Sequence, residues 1–299
     1  MYQTESPRIT AQVLNQNWLE KTASHDKRAQ QENNAFVRDR MRQESFWRNI
    51  VPPALVRDDE LDRSLDHDLP RKIVEKEPDS VATHVPFKGT GRRVWFSGQR
   101  YEVGFGKVES QRFIKSKFEL MTYQNDIRKI LTDNIVKDMS DQEDIYAWDT
   151  VNAIMAANPG QKLTPSGGLN ANNVVNGMKN LLSRKIPIGK ILCTKELYMD
   201  ALKLPATSVG DIVASRHYDE GIESEANLWG IPVITTIKND IIPANTMLIC
   251  GPSEYIGNFF LLQDATLYIK QEADILEFWS YSAMGIGFGN HKSLTMIEF

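Results

Sequence analysis

ANLWGIPVITTIKNDIIPANTMLICGPSEYIGNFFLL, residues 226–262, is the stretch that decides the fold class. It contains short apolar runs at 231–234, 247–250 and 259–262, separated by loop and turn signals rich in Gly, Pro, Asn and Asp. Apolar runs of this length between turn signals are typical of buried strands. The stretch therefore predicts several strands of one compact domain.

Bulk composition is that of an ordinary globular protein of one or two domains, with 299 residues, 41% hydrophobic and 25% charged. The 35 basic and 39 acidic residues give a net charge of −4, which argues against a protein that coats nucleic acid. No apolar run approaches the ~18–20 residues of a membrane span. The polar start, MYQTESPRIT, lacks the apolar core of a signal peptide, so we expect synthesis in the cytosol and no membrane partner.

Two glycine-rich stretches are poor matches to nucleotide-binding motifs. Residues 104–107 (GFGK) contain a Gly-Lys pair, but Tyr101 and Val108 stand where a phosphate-binding loop needs a glycine and a hydroxyl. Residues 285–289 (GIGFG) are followed by no helix signal, which excludes a dinucleotide fingerprint. Glycines at close approaches between strands explain the second stretch better.

Other catalytic and metal-binding signatures are missing as well. Cys193 and Cys250 each belong to an apolar run and are predicted to be buried, reduced thiols. The five histidines show no metal-ligand spacing, and no G-x-S-x-G elbow occurs. We therefore expect no catalytic residue, no cofactor, no metal site and no enzymatic activity.

Residues 1–48 are polar and carry a weak helical stripe, and the Pro52-Pro53 pair ends the helix signal. Such composition is typical either of disorder or of an arm packed on a partner. Isolated aromatic side chains favour the arm, because they need a surface on which to bury. The predicted anchors are Trp18, Phe36 and Trp47.

Residues 73–117 are predicted to form an extended, two-stranded projection, which is marginally stable alone and needs another surface. Within 86–117, eight basic residues oppose two acidic ones, a local charge of +6. The hairpin could be merely solvated, could contact nucleic acid, or could dock on an acidic surface of a sister subunit, and we favour docking over nucleic acid. The predicted contact residues are Lys88, Arg92, Arg93, Trp95, Arg100 and Tyr101, facing Asp133, Asp138, Asp141, Glu143 and Asp144.

Those acidic residues belong to the clearest helical region, 123–157, where apolar residues recur at helical spacing. A single helix of about 35 residues would span about 50 Å. Ser140 and Glu143 also fit a capping box, so two helices meeting there remain an alternative. The sequence Asn-Pro-Gly at 158–160 ends the region.

Residues 161–271 show a mixed α/β pattern, with helices predicted at 172–184 and 195–202 and a buried strand at 190–193. A polar loop at 205–227 is long for a compact domain, and such loops are usually functional or mobile. Residues 272–299 are aromatic-rich and predicted to be extended.

One segment of the chain resembles part of the major capsid proteins of tailed bacteriophages, which have the Hong Kong 97-type shell fold. The segment consists of LWGIPV at 228–233, a short polar loop, and IPANTMLICG at 242–251. The order of elements is also similar to that family. The resemblance implies an α+β fold divided as follows: N-terminal arm 1–70, E-loop and supporting strands 71–117, peripheral domain with spine helix 118–160, axial domain 161–271 and returning peripheral strands 272–299.

The implied function is self-assembly into hexamers and pentamers of an icosahedral shell around double-stranded DNA, bound without sequence specificity. The loop at 205–227, with Asp211, Arg216 and Glu220, would lie at the capsomer axis. About 70 residues precede the E-loop, so we expect an unprocessed coat protein with a separate scaffolding protein. We also expect a portal at one vertex and room for a decoration protein on the exterior. Location would be the virion capsid, after assembly in the host bacterial cytoplasm.

Three alternative functions remain at this point. An encapsulin-type nanocompartment shell would have the same fold, but the long polar arm favours a virion. An α/β nucleotide-binding enzyme is disfavoured by the broken motifs. A nucleic-acid-binding module is disfavoured because the basic charge is confined to one hairpin.

Overall fold

The computed structural model describes residues 37–38, 41, 44–62, 68–75, 84–91, 93, 95, 100–116, 118–119, 127–203 and 227–299. The chain divides into two compact units. Unit one contains the described residues of Met1–Leu55, Gly106–Asn152 and Leu261–Met284, and unit two contains those of Val56–Phe105, Ala153–Phe260 and Gly285–Phe299. None of the helices in the described ranges combines the length and apolar character needed to cross a membrane.

The helices are α1 (Phe46–Ile50), α2 (Ile127–Ala157), α3 (Ala171–Ser183), α4 (Lys195–Leu202) and α5 (Ser253–Ile256). The strands of the first half are β1 (Pro53–Leu55), β2 (Arg71–Glu75), β3 (Arg100–Gly104), β4 (Gly106–Glu109), β5 (Phe113–Ser116) and β6 (Lys162–Leu163). Those of the second half are β7 (Lys190–Thr194), β8 (Asn227–Leu228), β9 (Ile231–Thr236), β10 (Thr246–Cys250), β11 (Asn258–Glu272), β12 (Ile275–Gly287) and β13 (Leu294–Glu298).

Unit one is built on a sheet in the order β1-β11-β12-β4, with β5 also paired to β12. Along β12 buried residues alternate with half-buried ones, because successive side chains of a strand point to opposite faces. One apolar cluster joins the N-terminal segment to helix α2 and strand β11. Its buried members are Val37, Met41, Ile135, Val136, Met139, Ala265 and Leu267.

Helix α2 is a single helix of 31 residues, about 46 Å long at 1.5 Å per residue. The alternative of two helices meeting at Ser140 is therefore wrong. The Ser140 hydroxyl donates a hydrogen bond to the Lys137 carbonyl within the helix, at 3.0 Å. Glu143 points away from that position and binds Arg48 instead, so no capping box forms.

Unit two contains a sheet in the order β6-β13-β10-β7-β9-β8. Strands β7 and β9 run parallel, and β10 is antiparallel to both β7 and β13. Apolar residues of α3 and α4 pack against apolar residues of the sheet in one core. The helices contribute Val174, Met178, Leu181, Leu197 and Tyr198, and the strands contribute Ile191, Val233, Met247, Ile249 and Ile297. The strands predicted from the apolar runs near 231 and 247, and the helices near 172 and 195, are confirmed.

Three predicted boundaries are corrected by the sheet topology. Strand β13 lies between β10 and β6 in the sheet of unit two, whereas residues 272–299 were all expected to return to the peripheral domain. Strand β11 carries residues 261–272 into unit one, although the axial range was expected to reach 271. Strand β1, expected to belong to a separate arm, pairs with β11. Each strand joins the sheet that buries its apolar side chains, whatever its neighbours in sequence.

Both glycine-rich stretches have structural explanations. A Cβ atom on Gly285 would lie 2.8 Å from the Gly104 carbonyl and 3.0 Å from Val103, so this glycine permits a close approach of strands, as predicted. Lys107, the lysine of the GFGK stretch, lies in strand β4 and pairs with Glu109 at 2.8 Å. Cys193 and Cys250 are buried free thiols, and burial raises the pKa of each to about 12.

Helix α3 approaches the sheet of unit two closely at Gly177. A Cβ atom there would fall 2.2 Å from Ile297 Cδ1 and 3.0 Å from Ile249 Cδ1. We predict that Gly177→Leu lowers the free energy of unfolding by about 1–3 kcal/mol through overpacking, despite a gain in helix propensity. Denaturant unfolding of the unassembled chain measures this. Asn176→Leu on the exposed side of the same helix is the control, and equal stability of the two variants would contradict the prediction.

Candidate assembly surfaces and a buried charge cluster

Asp144 of helix α2 holds the start of the short helix α1. Its Oδ1 accepts hydrogen bonds from the Ser45 hydroxyl at 2.8 Å and the Trp47 amide at 3.2 Å, and its Oδ2 accepts from the Phe46 amide at 3.4 Å. Ser45 Oγ in turn accepts from the Arg48 amide at 3.3 Å and forms the N-cap. These bonds fix the segment 45–50 against α2.

Arg48 of helix α1 binds two carboxylates inside unit one. Its Nε and Nη2 atoms donate to the two oxygens of Glu143, at 2.7 and 2.8 Å, in a bidentate pair. Nη2 also donates to Asp264 Oδ1 at 3.0 Å. The side chains of Arg48 and Glu143 are each 1% exposed. This cluster joins α1, α2 and β11.

The cluster contains more negative than positive charge. Glu143, Asp144 and Asp264 surround Arg48, and Arg38 lies 3.8 Å from Asp264 at the edge. Burial, opposed by Arg48 but reinforced by the charges of Asp264 and Asp144, raises the pKa of Glu143 above its ordinary value. Burial alone would lower the pKa of Arg48, but its bonds to Glu143 and Asp264 raise it, so the arginine stays charged.

This arrangement corrects three of the sequence predictions. Glu143 and Asp144 are buried and bind residues of their own chain, so they cannot receive the hairpin of a sister subunit. Trp47 is 2% exposed within unit one rather than an anchor on a partner. On the same helix Asp138 is exposed, and Asp133 and Asp141 are half-buried. Their contact with a neighbour remains a prediction.

Strands β2 and β3 form the predicted hairpin, paired from Arg71↔Gly104 to Glu75↔Arg100. At the end of this ladder that adjoins the connecting residues, Arg100 pairs with Glu75 at 2.9 Å. Tyr101 is half-buried with its hydroxyl enclosed, and burial raises its pKa to about 12. The Tyr101 hydroxyl is therefore enclosed within its own chain, and a contact of this residue with another subunit remains a prediction.

The residues between β2 and β3 that the structure describes are strongly exposed. They include Lys88 and Arg93, together with the aromatic side chains of Phe87 and Trp95, the latter 97% exposed. A reverse turn at residues 86–89 is closed by a hydrogen bond from the Gly89 amide to the Pro86 carbonyl at 2.7 Å. Six predicted site residues, Trp18, Phe36, Arg92, Asp211, Arg216 and Glu220, lie outside the described residues.

Sequence reasoning missed an aromatic face on the sheet of unit one. Tyr268 stacks on Tyr281 at a centroid distance of 4.9 Å and on Trp279 at 5.8 Å. Lys107 lies 4.5 Å above the Tyr281 ring and Arg112 lies 5.1 Å from the Trp279 ring. The alternation in residues 275–282 (ILEFWSYS) is the signal that could have revealed one face of this sheet.

A cavity of about 310 Å³ lies within unit one, beside the aromatic face. Helix α2 contributes Gln142, Ile145, Tyr146 and Asp149, strand β4 contributes Gly106, Lys107 and Val108, and strand β12 contributes Met284. The lining combines apolar side chains with one basic and one acidic side chain, Lys107 and Asp149. Sequence patterns did not indicate it, because its walls come from three distant segments.

Solved structures with the same fold are found among viral particles. The chain matches a structure from Microbacterium phage Oxtober96 with a TM-score of 0.62 and 10% identity, covering 85% of this chain and 91% of the other. It matches the virus-like particle from Pyrococcus furiosus with a TM-score of 0.56 and 16% identity, covering 90% and 98%. The capsid of the native GTA particle matches with a TM-score of 0.56 and 11% identity, covering 84% and 89%. This is a phage-capsid fold.

The resemblance predicted from the LWGIPV and IPANTMLICG segments is therefore confirmed at the level of the fold. No protein-family model and no curated protein sequence matches the chain. The capsid fold combines helix and sheet, as predicted, and its matches extend over most of this chain and most of each viral chain.

Replacing Arg48 tests the buried charge cluster of this capsid fold. We predict that Arg48→Met lowers the free energy of unfolding by about 3–5 kcal/mol, because Glu143 and Asp264 then remain buried without their counter-charge. Arg38→Met is the control, since its side chain is 42% exposed and lies 3.8 Å from Asp264, and we expect a loss of at most about 1 kcal/mol. Denaturant unfolding of the unassembled chain measures both. Similar losses for the two variants would refute the ranking.

Glu143→Gln tests the direction of the pKa shift. A carboxyl group with a raised folded-state pKa contributes stability that is fully present below its ordinary value of 4.5 and is lost as the pH rises through the raised pKa. The free energy of unfolding of the wild type should therefore fall relative to Glu143→Gln as the pH rises above 4.5. Asp138→Asn, an exposed acid on the same helix, controls for loss of a helix charge. A difference between wild type and Glu143→Gln that is independent of pH would show that Glu143 does not titrate in this way.

Proposed function

We propose that this chain is the major capsid protein of a tailed bacteriophage and assembles into the hexamers and pentamers of an icosahedral shell enclosing double-stranded DNA. The observation that carries the proposal is the capsid fold itself, which extends over 84–90% of this chain in the matches described above. Most of the chain is accounted for by that fold, so we propose a structural role and no enzymatic one.

In this proposal each part of the fold has a role in the shell. The β2–β3 hairpin is the E-loop, helix α2 is the spine of the peripheral domain, and the sheet of unit two with α3 and α4 forms the axial domain. Residues 205–227, including Asp211, Arg216 and Glu220, are proposed to approach the capsomer axis.

Exposed apolar side chains support a subunit whose stable form is an assembly. Phe87 and Trp95 are almost completely exposed, and Leu55, Leu69, Ile114, Phe118 and Ile237 are between 62% and 80% exposed. Single exposed apolar residues are ordinary, but large aromatic side chains on a projecting turn are costly to leave in water. Many weak contacts of this kind sum to a stable closed shell through symmetry and avidity.

Charge supplies the second contribution to the proposed contact between subunits. Lys88 and Arg93 are exposed on the hairpin, and Asp138, Asp141 and Asp149 lie on the outer part of α2. Basic residues of one copy would face acidic residues of the next, a complementarity that favours one register of docking. The net charge of −4 suits a container for DNA, since a strongly basic inner wall would hold the packaged polymer tightly.

The further partners follow from the same proposal. We expect a separate scaffolding protein during assembly in the host bacterial cytoplasm, a portal at one vertex, and room for a decoration protein on the exterior. The mature location would be the virion capsid.

A second candidate is an encapsulin-type nanocompartment, a cellular shell built from subunits of the same fold. The match to the virus-like particle of Pyrococcus furiosus, which covers 98% of that chain, favours keeping this candidate. The particle's contents separate the two: packaged DNA indicates a virion, whereas an enclosed enzyme indicates a nanocompartment.

Electron microscopy of the purified, concentrated chain tests the proposal. We predict closed shells for the wild type, and at least about tenfold weaker assembly for Lys88→Glu/Arg93→Glu, because the hairpin then repels the acidic helix of its neighbour. Lys179→Glu/Lys185→Glu, an equal change of charge at two exposed positions of unit two, is the control. A wild-type chain that stays monomeric at high concentration would contradict the capsid proposal. If the hairpin variant forms normal shells with unchanged salt tolerance, only the proposed electrostatic docking of the hairpin is contradicted.

A further inference from the structure

The cavity of unit one is shaped and charged for a particular kind of side chain. Its lining includes the apolar side chains of Val108, Ile145 and Met284, and Gly106 contributes no side chain to it. No atom lies within 4 Å of the position that a Cβ on Gly106 would take. An apolar cavity of about 150 Å³ is enough to hold a benzene ring, so about 310 Å³ accommodates a phenyl group with room for its backbone.

The charge available at the rim of the cavity is negative. Lys107 is already engaged, with its Nζ atom 2.8 Å from Glu109 and 4.5 Å above the Tyr281 ring. Asp149 also lines the cavity and is exposed, and no cation in the described part of the chain pairs with it. An occupant that placed an apolar ring inside and a cation beside it would satisfy both features.

The turn at residues 86–89 presents that combination. Its closing hydrogen bond places Phe87 and Lys88 next to each other at the two central positions, where Phe87 is fully exposed and Lys88 is exposed. Phe87 therefore fills no cavity in its own chain. Every copy of the protein carries both the aromatic turn and the cavity, so each copy can donate one contact and receive one.

We infer that Phe87 of one copy inserts into the cavity of a second copy, with Lys88 of the first facing Asp149 of the second. Such a contact joins two different surfaces head to tail and closes into rings where the rotation between copies allows it. The inference rests on the proposed shell and names the partner of its hairpin. It also replaces Glu143 and Asp144, which are buried, with Asp149 as the acid that receives a hairpin lysine.

A disulfide between introduced cysteines tests the contact in the assembled particle. Lys88→Cys/Asp149→Cys should give crosslinked oligomers under mild oxidation, whereas either single variant should not. Cys193 and Cys250 are buried and so do not compete. Lys88→Cys/Lys137→Cys is the matched control, because Lys137 is exposed on the same helix but about 18 Å from Asp149 along its axis.

The outcomes separate the contact from the shell. Crosslinks in the Lys88/Asp149 pair and none in the Lys88/Lys137 pair support the inference. Intact shells without the Lys88/Asp149 crosslink overturn it and leave the proposed function standing. If the wild type forms no shell, the proposed function fails, and crosslinking of the concentrated soluble chain decides the contact.

Side-chain substitutions give a second readout that does not depend on oxidation. Phe87→Ala and Gly106→Phe should each raise the concentration needed for assembly at least about tenfold (about 1.4 kcal/mol), the first by removing the ring and the second by filling the cavity. Ile237→Ala, at another exposed apolar residue, should leave it unchanged. An effect of Gly106→Phe without an effect of Phe87→Ala would overturn the inference, because a different segment would then occupy the cavity.

Discussion

A single buried guanidinium organises unit one of this protein. Arg48 binds Glu143, 95 residues away in sequence, and Asp264, 216 residues away, and so joins a helix near the start of the chain to the long helix and to the sheet. Buried carboxylates are costly unless they are paired, so these three segments are stable only together. The segment 45–55 is consequently part of the folded body, although its composition is that of a detachable arm.

Several of the basic residues around the hairpin form ion pairs within the subunit. Eight basic residues lie within 86–117, but Arg100 pairs with Glu75, Arg112 with Glu109 and Glu277, and Lys107 with Glu109. Lys88 and Arg93, by contrast, project into solvent. The count of charges in sequence therefore overstates the electrostatic attraction available between copies. In the contact that we propose, the fit of the aromatic turn into the cavity would supply specificity through shape.

The fold is shared with viral-particle proteins at 10–16% identity. Such divergence is possible because a core needs apolar side chains of suitable volume at the right period, and many sequences satisfy that requirement. Contacts between copies depend on single exposed residues and are free to differ from one capsid to another. The capsid fold thus supports the proposed function, while the particular contacts have to be argued from this chain's own surface.

Local order was readable from the sequence alone. Periodicity and turn chemistry act over a few residues, and they were enough to predict several local features. These are the helix at 195–202, the strands near 190, 231 and 247, the end of the long helix at Asn158 and the glycines at a close strand approach. Only the tertiary structure decided which sheet receives β11 and β13, and that Glu143 and Asp144 face inward. Periodicity places a carboxylate on a helix face but does not show what covers that face. Arg48 and β11 cover it here, and residues so far apart in sequence meet only once the chain has folded.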